Sequence, residues 1–364
     1  MIAKKRAHIG GHRPAEKELL VTSRLLSSNH VFIIAEAGVN HNGNMKIAKQ
    51  LIDAAKNAGA DGIKFQTFKA QNLLSRRTKL ADYQRRNVGA DIRDQYDLIR
   101  KLELPFEGFK ELKDHCKKRK ILFLSTPFDF ESVDLLERLK VQVYKISSGD
   151  LTHLLLLEYI AKKKKEMILS TGMSNMDEVQ EAVQIIRKAG NTKIILLHCV
   201  SEYPAPYKDV NLKAMLSLEK QFKLPVGYSD HTLGVEVAVA AVALGARVIE
   251  KHITLDRVMR GPDHKASMEP DEFKKMVRMI RHVTLSLGNG IKSAAACEMK
   301  NRNIARKSLV AVHGLKKGQM ITDRDIVVKR PGTGIAPKDI NRVVGRIVQR
   351  RIPEDSVIKW EQLA

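Results

Sequence analysis

Eight times along this 364-residue chain a short apolar run ends in a cluster of polar, chemically capable side chains. The first four runs are Phe32 to Ala35 before Glu36, Gly62-Ile63 before Lys64-Phe65-Gln66, Ile121 to Leu124 before Ser125-Thr126, and Val143-Tyr144 before Lys145 to Asp150. The others are Met167 to Leu169 before Ser170-Thr171, Ile194 to Leu197 before His198, Val226 to Tyr228 before Ser229-Asp230-His231, and Val248-Ile249 before Glu250-Lys251-His252. Parallel strands covered on both faces read as such continuous runs. Eight of them, each followed by a helix, make an α/β fold of the (β/α)8 TIM barrel type, in which the groups at the strand ends converge on one mouth.

The intervening segments carry helical signals, as the crossovers of a parallel sheet require. Ile47, Leu51, Ala54, Ala55 and Ala58 recur at helical spacing after Asn44, and Gly59 follows as a C-terminal cap. Asn175 and Glu178 are spaced as an N-terminal capping pair ahead of Val179, Val183 and Ile186. Pro270 opens a helix carrying Phe273, Met276, Val277 and Ile280, and a proline in the first turn costs no hydrogen bond.

The chain exceeds the roughly 250 residues of a typical barrel, and the excess lies at both ends. Residues 1–29 are basic, contain no signal-peptide core and read as a disordered or loosely docked extension. The barrel is expected over 30–288 and a linker over 289–303. A small β-rich domain is expected over 304–364, where the β-like runs Ser308 to Val312 and Ile326 to Lys329 alternate with turn-rich segments.

No apolar run approaches the roughly 18 residues of a membrane span, so a cytoplasmic protein with no membrane partner is expected. Cys116, Cys199 and Cys297 lack metal-site spacing and read as buried small hydrophobes rather than reactive thiols. The net charge of +23 is spread over expected helix faces such as Lys117 to Lys120 and Lys162 to Lys165, without a nucleic-acid recognition motif. A solvated basic surface that attracts anionic substrates accounts for it better than specific nucleic-acid binding.

At the expected mouth, Lys64 and Lys145 end different strands, and Thr126, Ser148, Ser170 and Ser229 end others or follow them closely. Point charges and hydroxyls converging from separate strands suit a small dianion carrying phosphate and carboxylate. His231 and His252 follow neighbouring strands, so their imidazoles can meet on one divalent ion with open positions for water and substrate. Glu36 reads either as a base whose pKa is raised by apolar flanks or as a salt-bridge partner of a barrel lysine.

The strings Ile34-Ala35-Glu36-Ala37-Gly38-Val39-Asn40-His41-Asn42-Gly43, Lys64-Phe65-Gln66-Thr67, Ser125-Thr126-Pro127-Phe128 and Leu169-Ser170-Thr171-Gly172-Met173 are joined by five more. These are His198-Cys199, Tyr203-Pro204, Gly227-Tyr228-Ser229-Asp230-His231-Thr232, Gly261-Pro262-Asp263 and Lys329-Arg330-Pro331-Gly332. Together, in order and with similar spacing over residues 31–364, they resemble the sialic acid synthase family, whose C-terminal antifreeze-like (SAF) domain the tail resembles.

The resemblance implies condensation of phosphoenolpyruvate with N-acetylmannosamine or a related amino sugar, with release of phosphate. It implies a divalent ion, Mn2+ or Mg2+, on His231 and His252, and Glu36 as the base for the water that adds at carbon two. Phosphoenolpyruvate contacts would fall on Lys64, Thr126, Lys145, Ser148, Ser170 and Ser229. Ser201 stands where some members place an asparagine near the phosphate. Sugar contacts would fall on Gln66, Asp150, Tyr203 and Asp263, with aspartate at 150 where bacterial members often have glutamate. Arg330 would reach the N-acyl group in the neighbouring barrel of a domain-swapped homodimer. Two other readings stand beside this one: a 3-deoxy sugar acid synthase that takes a phosphorylated aldose, and an inactive basic scaffold that binds RNA or another polyanion.

Overall fold

The structure, a computed structural model, describes residues 30–80, 82–88 and 92–364. The basic extension expected over 1–29 lies outside the described residues. The chain divides after Gly288 into two compact units.

The first unit is a closed barrel of eight parallel strands in sequence order. They are β1 (Phe32–Gly38), β2 (Gly62–Thr67), β3 (Leu122–Pro127), β4 (Val143–Ile146), β5 (Glu166–Ser170), β6 (Ile194–Cys199), β7 (Val226–Asp230) and β8 (Val248–His252). β1 pairs with both β2 and β8, which closes the ring. Inward side chains of the lower barrel, Phe32, Ile34, Leu124, Val143, Ile168, Ile195, Leu197 and Val248, form an apolar plug with at most 1% exposure each. Each contributes about 1.5–3 kcal/mol by leaving water, so the barrel is a packed core rather than a pore.

Helices pack outside the strands through a second apolar layer. The expected caps form. Asn44 accepts from the N–H groups of Lys46 and Ile47 at the start of helix Met45–Asn57, and Asn175 with Glu178 makes a reciprocal capping box on helix Met176–Lys188. Pro270 occupies the first turn of helix Pro270–Ser286. One departure from simple alternation lies between β2 and β3, where short helices Ala70–Leu73, Asp82–Asn87 and Gln95–Leu102 precede the barrel helix Phe106–Arg119. Their apolar residues Leu98 and Leu102 pack with Val39 and Phe68, so this insertion covers the mouth side of β1 and β2.

The second unit, Asn289–Ala364, holds β9 (Ser308–Ala311) and β10 (Ile326–Lys329) in an antiparallel pair around a small core that includes Leu309, Leu315, Ile335 and Ile358. Part of the span expected as linker is helical, Met299–Ala305. Cys116 and Cys199 are buried, but Cys297 is exposed. The reading of all three thiols as buried small hydrophobes is therefore corrected at position 297, whose surroundings in the second unit are all exposed.

At the opposite end of the barrel from the strand C-termini, Asp61 joins the first strand to the last helix. Its carboxylate accepts from the Ile33 N–H at 2.8 Å, pairs with His30 Nε2 at 2.8 Å and with Arg281 at 2.7 Å, and Arg281 also donates to the Val31 carbonyl. Burial alone would raise the Asp61 pKa, but the hydrogen bond from His30 and the Arg281 charge outweigh it and hold the carboxyl below its usual value. A carboxyl with a depressed folded pKa stabilises above its unfolded pKa and loses that contribution as pH falls through the folded one. Asp61→Asn is expected to cost about 1.5–3 kcal/mol near neutral pH, read by urea unfolding. The gap to the parent should close in acid; a gap that persists unchanged there would rule out this account.

Candidate active site

Above the apolar plug the inward positions turn polar. Glu36, Lys64, Lys145, Ser170, Ser229 and Glu250 come from six different strands and are each at most 5% exposed. Lys64 Nζ lies 3.4 Å from Glu36 Oε1 and 3.1 Å from Glu250 Oε2. Lys145 Nζ lies 3.6 Å from Glu250 Oε1, and it donates to Ser170 Oγ at 2.6 Å and to the Ile146 carbonyl at 3.0 Å. Ser229 Oγ donates to Glu250 Oε1 at 2.9 Å, and Gln66 Nε2 donates to Glu36 Oε1 at 3.3 Å. Two lysines and two carboxylates thus share one buried space.

Their environments push the two acids apart. Burial raises Glu36 to about 8, against the pull of Lys64 and with the repulsion of Glu250 added. Glu250 is equally buried, but Lys145 and Lys64 flank it and Ser229 donates to it, so its carboxyl is held low. Lys64, between both carboxylates, stays above its usual value despite burial. Burial lowers Lys145 to about 8, against the pull of Glu250 and with the repulsion of Lys64 added. Such a split leaves Glu36 able to gain or lose a proton near neutrality and Glu250 with a fixed charge.

The position of Glu36 depends on a bulge. Glu36 pairs with Lys64, yet Gly38 pairs with Phe65, so Ala37 is one residue too many on β1. Gly38 takes φ +51°, which favours glycine, and a Cβ there would lie 3.2 Å from Glu36 Oε1.

Next to Lys145, loops after β4, β5 and β6 bring three polar side chains around Gly172. Ser148 Oγ accepts from the Gly172 N–H at 3.0 Å and lies 3.0 Å from Cys199 Sγ. A Cβ at position 172 would overlap Ser201 Oγ, lie 2.7 Å from Cys199 Sγ and 2.9 Å from Ser148 Oγ. The missing side chain keeps this cradle open. On β3 the Thr126 hydroxyl is buried without a hydrogen-bond partner, a state that costs free energy unless a water or ligand meets it.

His231 and His252 sit with ring centroids 5.5 Å apart, and the Tyr203 ring lies tilted at 4.3 Å from His231 and edge-on at 5.6 Å from His252. Glu36 pairs across the backbone with His252 as well as with Lys64, so the histidines adjoin the charge cluster. His231 Nδ1 lies 2.6 Å from the Val200 carbonyl, which can only accept, so Nε2 keeps its lone pair. His252 Nδ1 is buried without a hydrogen-bond partner. Burial lowers His231 to about 4 and His252 well below its usual value. Neutral imidazoles with free lone pairs fit a divalent metal ion. Among the described residues no group of three or more His, Cys, Asp or Glu has metal-holding geometry, so water and substrate oxygens would complete the shell.

The remaining sugar-side candidates are placed as follows. Asp150 accepts from Ser147 Oγ at 2.6 Å, and burial raises its carboxyl. Asp263 lies in the loop after β8, and burial pushes it up to about 6. Arg330 is exposed in the second unit, directly after β10. Two motif residues serve the scaffold: Asp230 holds Lys251 Nζ at 2.8 Å, and Asn40 Nδ2 donates to the Ile253 carbonyl and Ser267 Oγ, joining the loops after β1 and β8.

Sequence reasoning passed over Glu250, although it touches Ser229 and both lysines. The signal was present, because His252 and Glu250 are two residues apart on one strand and so face the same way.

The NeuB family model matches residues 51–292, and the SAF domain model matches residues 306–364. The chain is 51% identical to the N,N'-diacetyllegionaminic acid synthase of Campylobacter jejuni over 329 residues, covering 90% of this chain and 98% of that one. It is 45% identical to the enzyme of the same name from Legionella pneumophila over 341 residues, covering 93% and 96%. Among solved structures, the N-acetylneuraminic acid synthetase of Leptospira borgpetersenii in complex with citrate superimposes with a TM-score of 0.68 at 37% identity, covering 75% of this chain and 91% of that one. The barrel with its charged mouth and the tail that follows it place the chain in the NeuB family, as an enzyme of the sialic acid synthase type with an SAF domain at its C-terminal end.

Proposed function

We propose that this enzyme condenses phosphoenolpyruvate with N-acetylmannosamine or a related N-acylated amino sugar, giving a nine-carbon 2-keto acid and phosphate. The observation that carries the reading is the buried cluster of Lys64, Lys145, Glu36 and Glu250 beside the paired imidazoles of His231 and His252. Among acceptors, a 2,4-diacetamido sugar has the support of the name that two relatives carry.

Lys64 and Lys145, with the hydroxyls of Thr126, Ser148, Ser170, Ser201 and Ser229, hold the carboxylate and phosphate of the donor in one orientation. Gln66, Asp150, Tyr203 and Asp263 take the sugar. Glu36 accepts a proton from the water that adds at carbon two of phosphoenolpyruvate while carbon three attacks the open-chain aldehyde. The tetrahedral intermediate then expels phosphate with cleavage of its C–O bond. A divalent cation, Mn2+ or Mg2+, held by His231 and His252 supplies Lewis-acid polarisation of the aldehyde. Arg330 of the partner subunit reaches the N-acyl group in a homodimer, which makes each site composite. Cytoplasmic placement suits these soluble substrates, and no described helix is long and apolar enough to cross a membrane.

Phosphate release from phosphoenolpyruvate should require an N-acylated mannosamine-type sugar and should stop with EDTA and return with Mn2+. Equal release with arabinose 5-phosphate or erythrose 4-phosphate would favour the 3-deoxy sugar acid alternative. Mass spectrometry of products from a panel of amino sugars identifies the acceptor. Glu36→Gln should retain phosphoenolpyruvate binding but lose turnover by a factor of about 100 or more, as for loss of a general base; near-parental turnover would remove Glu36 from that role. Arg330→Ala should raise the sugar KM far more than that of phosphoenolpyruvate. Mixing Arg330→Ala with Glu36→Gln subunits should restore activity, because some mixed sites regain both groups; no restoration would argue against sharing between subunits.

A further inference from the structure

Glu250 is 4% exposed on β8, and its two oxygens engage three groups that the proposed reaction needs for the donor. Oε2 lies 3.1 Å from Lys64 Nζ, while Oε1 lies 3.6 Å from Lys145 Nζ and accepts from Ser229 Oγ at 2.9 Å. The other acid of the cluster, Glu36, approaches Lys64 alone, at 3.4 Å. Lys145 already donates to Ser170 Oγ and to the Ile146 carbonyl. An ammonium has three N–H groups, so one direction remains for Glu250 or for an incoming anion.

A carboxylate in that place works against dianion affinity, since like charges a few ångströms apart in a buried space repel strongly. It also meets a structural need, because two buried ammonium groups without a counter-charge repel each other at a cost of their own. We infer that Glu250 is an internal competitor of the donor's phosphate, which aligns Lys64, Lys145 and Ser229 and lowers the site's hold on free phosphate so that product departs. It is a positioning residue, and the inference rests on the phosphoenolpyruvate reading given above.

The competitor role predicts a direction that a merely structural role does not. Glu250→Gln keeps the shape and an acceptor for Ser229 but removes the charge. Its affinity for phosphoenolpyruvate, by calorimetry at fixed ionic strength, and its inhibition by inorganic phosphate should both tighten by about tenfold or more, as loss of a nearby like charge implies. Its kcat should fall, with phosphate release as the slowed step in single-turnover against steady-state rates. Glu250→Asp keeps the charge and draws the carboxylate back by one methylene, so it should also bind both anions more tightly than the parent if Glu250→Gln does not fold. Unchanged or weaker binding of both anions in the folded variant overturns the inference. If the parent enzyme itself neither binds phosphoenolpyruvate nor releases phosphate from it, the failure belongs to the proposed reaction instead.

Discussion

Closing eight parallel strands on themselves sends every second side chain into a space sealed below and open only at one end. In this chain the lower inward positions are Phe32, Ile34, Leu124 and their neighbours, which fill the space without polar atoms. Two residues further along β1, β4, β5 and β8 the inward positions are Glu36, Lys145, Ser170 and Glu250, joined by Lys64 of β2 and Ser229 of β7. The same geometry that builds the core therefore gathers the chemistry, and the plug beneath denies the charged groups any other solvent path. Sequence position, fold and electrostatics are linked through the two-residue period of a strand.

Burying four ionisable groups is costly unless each has a partner. Here Lys64 touches both carboxylates, Lys145 touches one, and Ser229 and Gln66 donate to one carboxylate each. The balance is uneven, which gives it a use. Glu36 is left with weak support and a proton affinity near neutrality, whereas Glu250 carries a steady negative charge. Lys64 and Lys145 thus face one carboxylate that stays charged, Glu250, and one whose charge is easily lost, Glu36. The neutral imidazoles of His231 and His252 beside it leave their lone pairs available.

Much of this was legible in the residues alone, for reasons that differ by element. The strands, the caps at Asn44 and Asn175 and the first-turn Pro270 are local signals that tertiary structure had no cause to override. Lys64 and Lys145 were visible because a charge inside an apolar run needs an explanation. Glu250 was not, because Glu250-Lys251-His252 reads as a polar cluster until alternation is applied, which turns Lys251 toward Asp230 and Glu250 inward. The helices Ala70–Leu73 and Asp82–Asn87 are too short to carry a periodic pattern, whereas Gln95–Leu102 spaces Leu98, Ile99 and Leu102 helically and was readable. Cys297 broke the expectation for buried thiols because the segment around it lacks a core to enter. The cradle around Gly172 depends on an absent atom, which no pattern of hydrophobicity records.

The surplus residue at Ala37 on β1 bears on how such a barrel can drift over time. Register shifts there between Glu36 and Gly38, so losing Ala37 would only regularise the ladder, whereas losing a residue between Phe32 and Glu36 would turn inward positions of β1 outward. Substitutions along β1 alter packing by degrees, but a single-codon deletion ahead of Glu36 would set its facing against that of the plug residues Phe32 and Ile34. The inward set of β1, apolar plug and buried carboxylate alike, is thus fixed by counting residues as much as by chemistry.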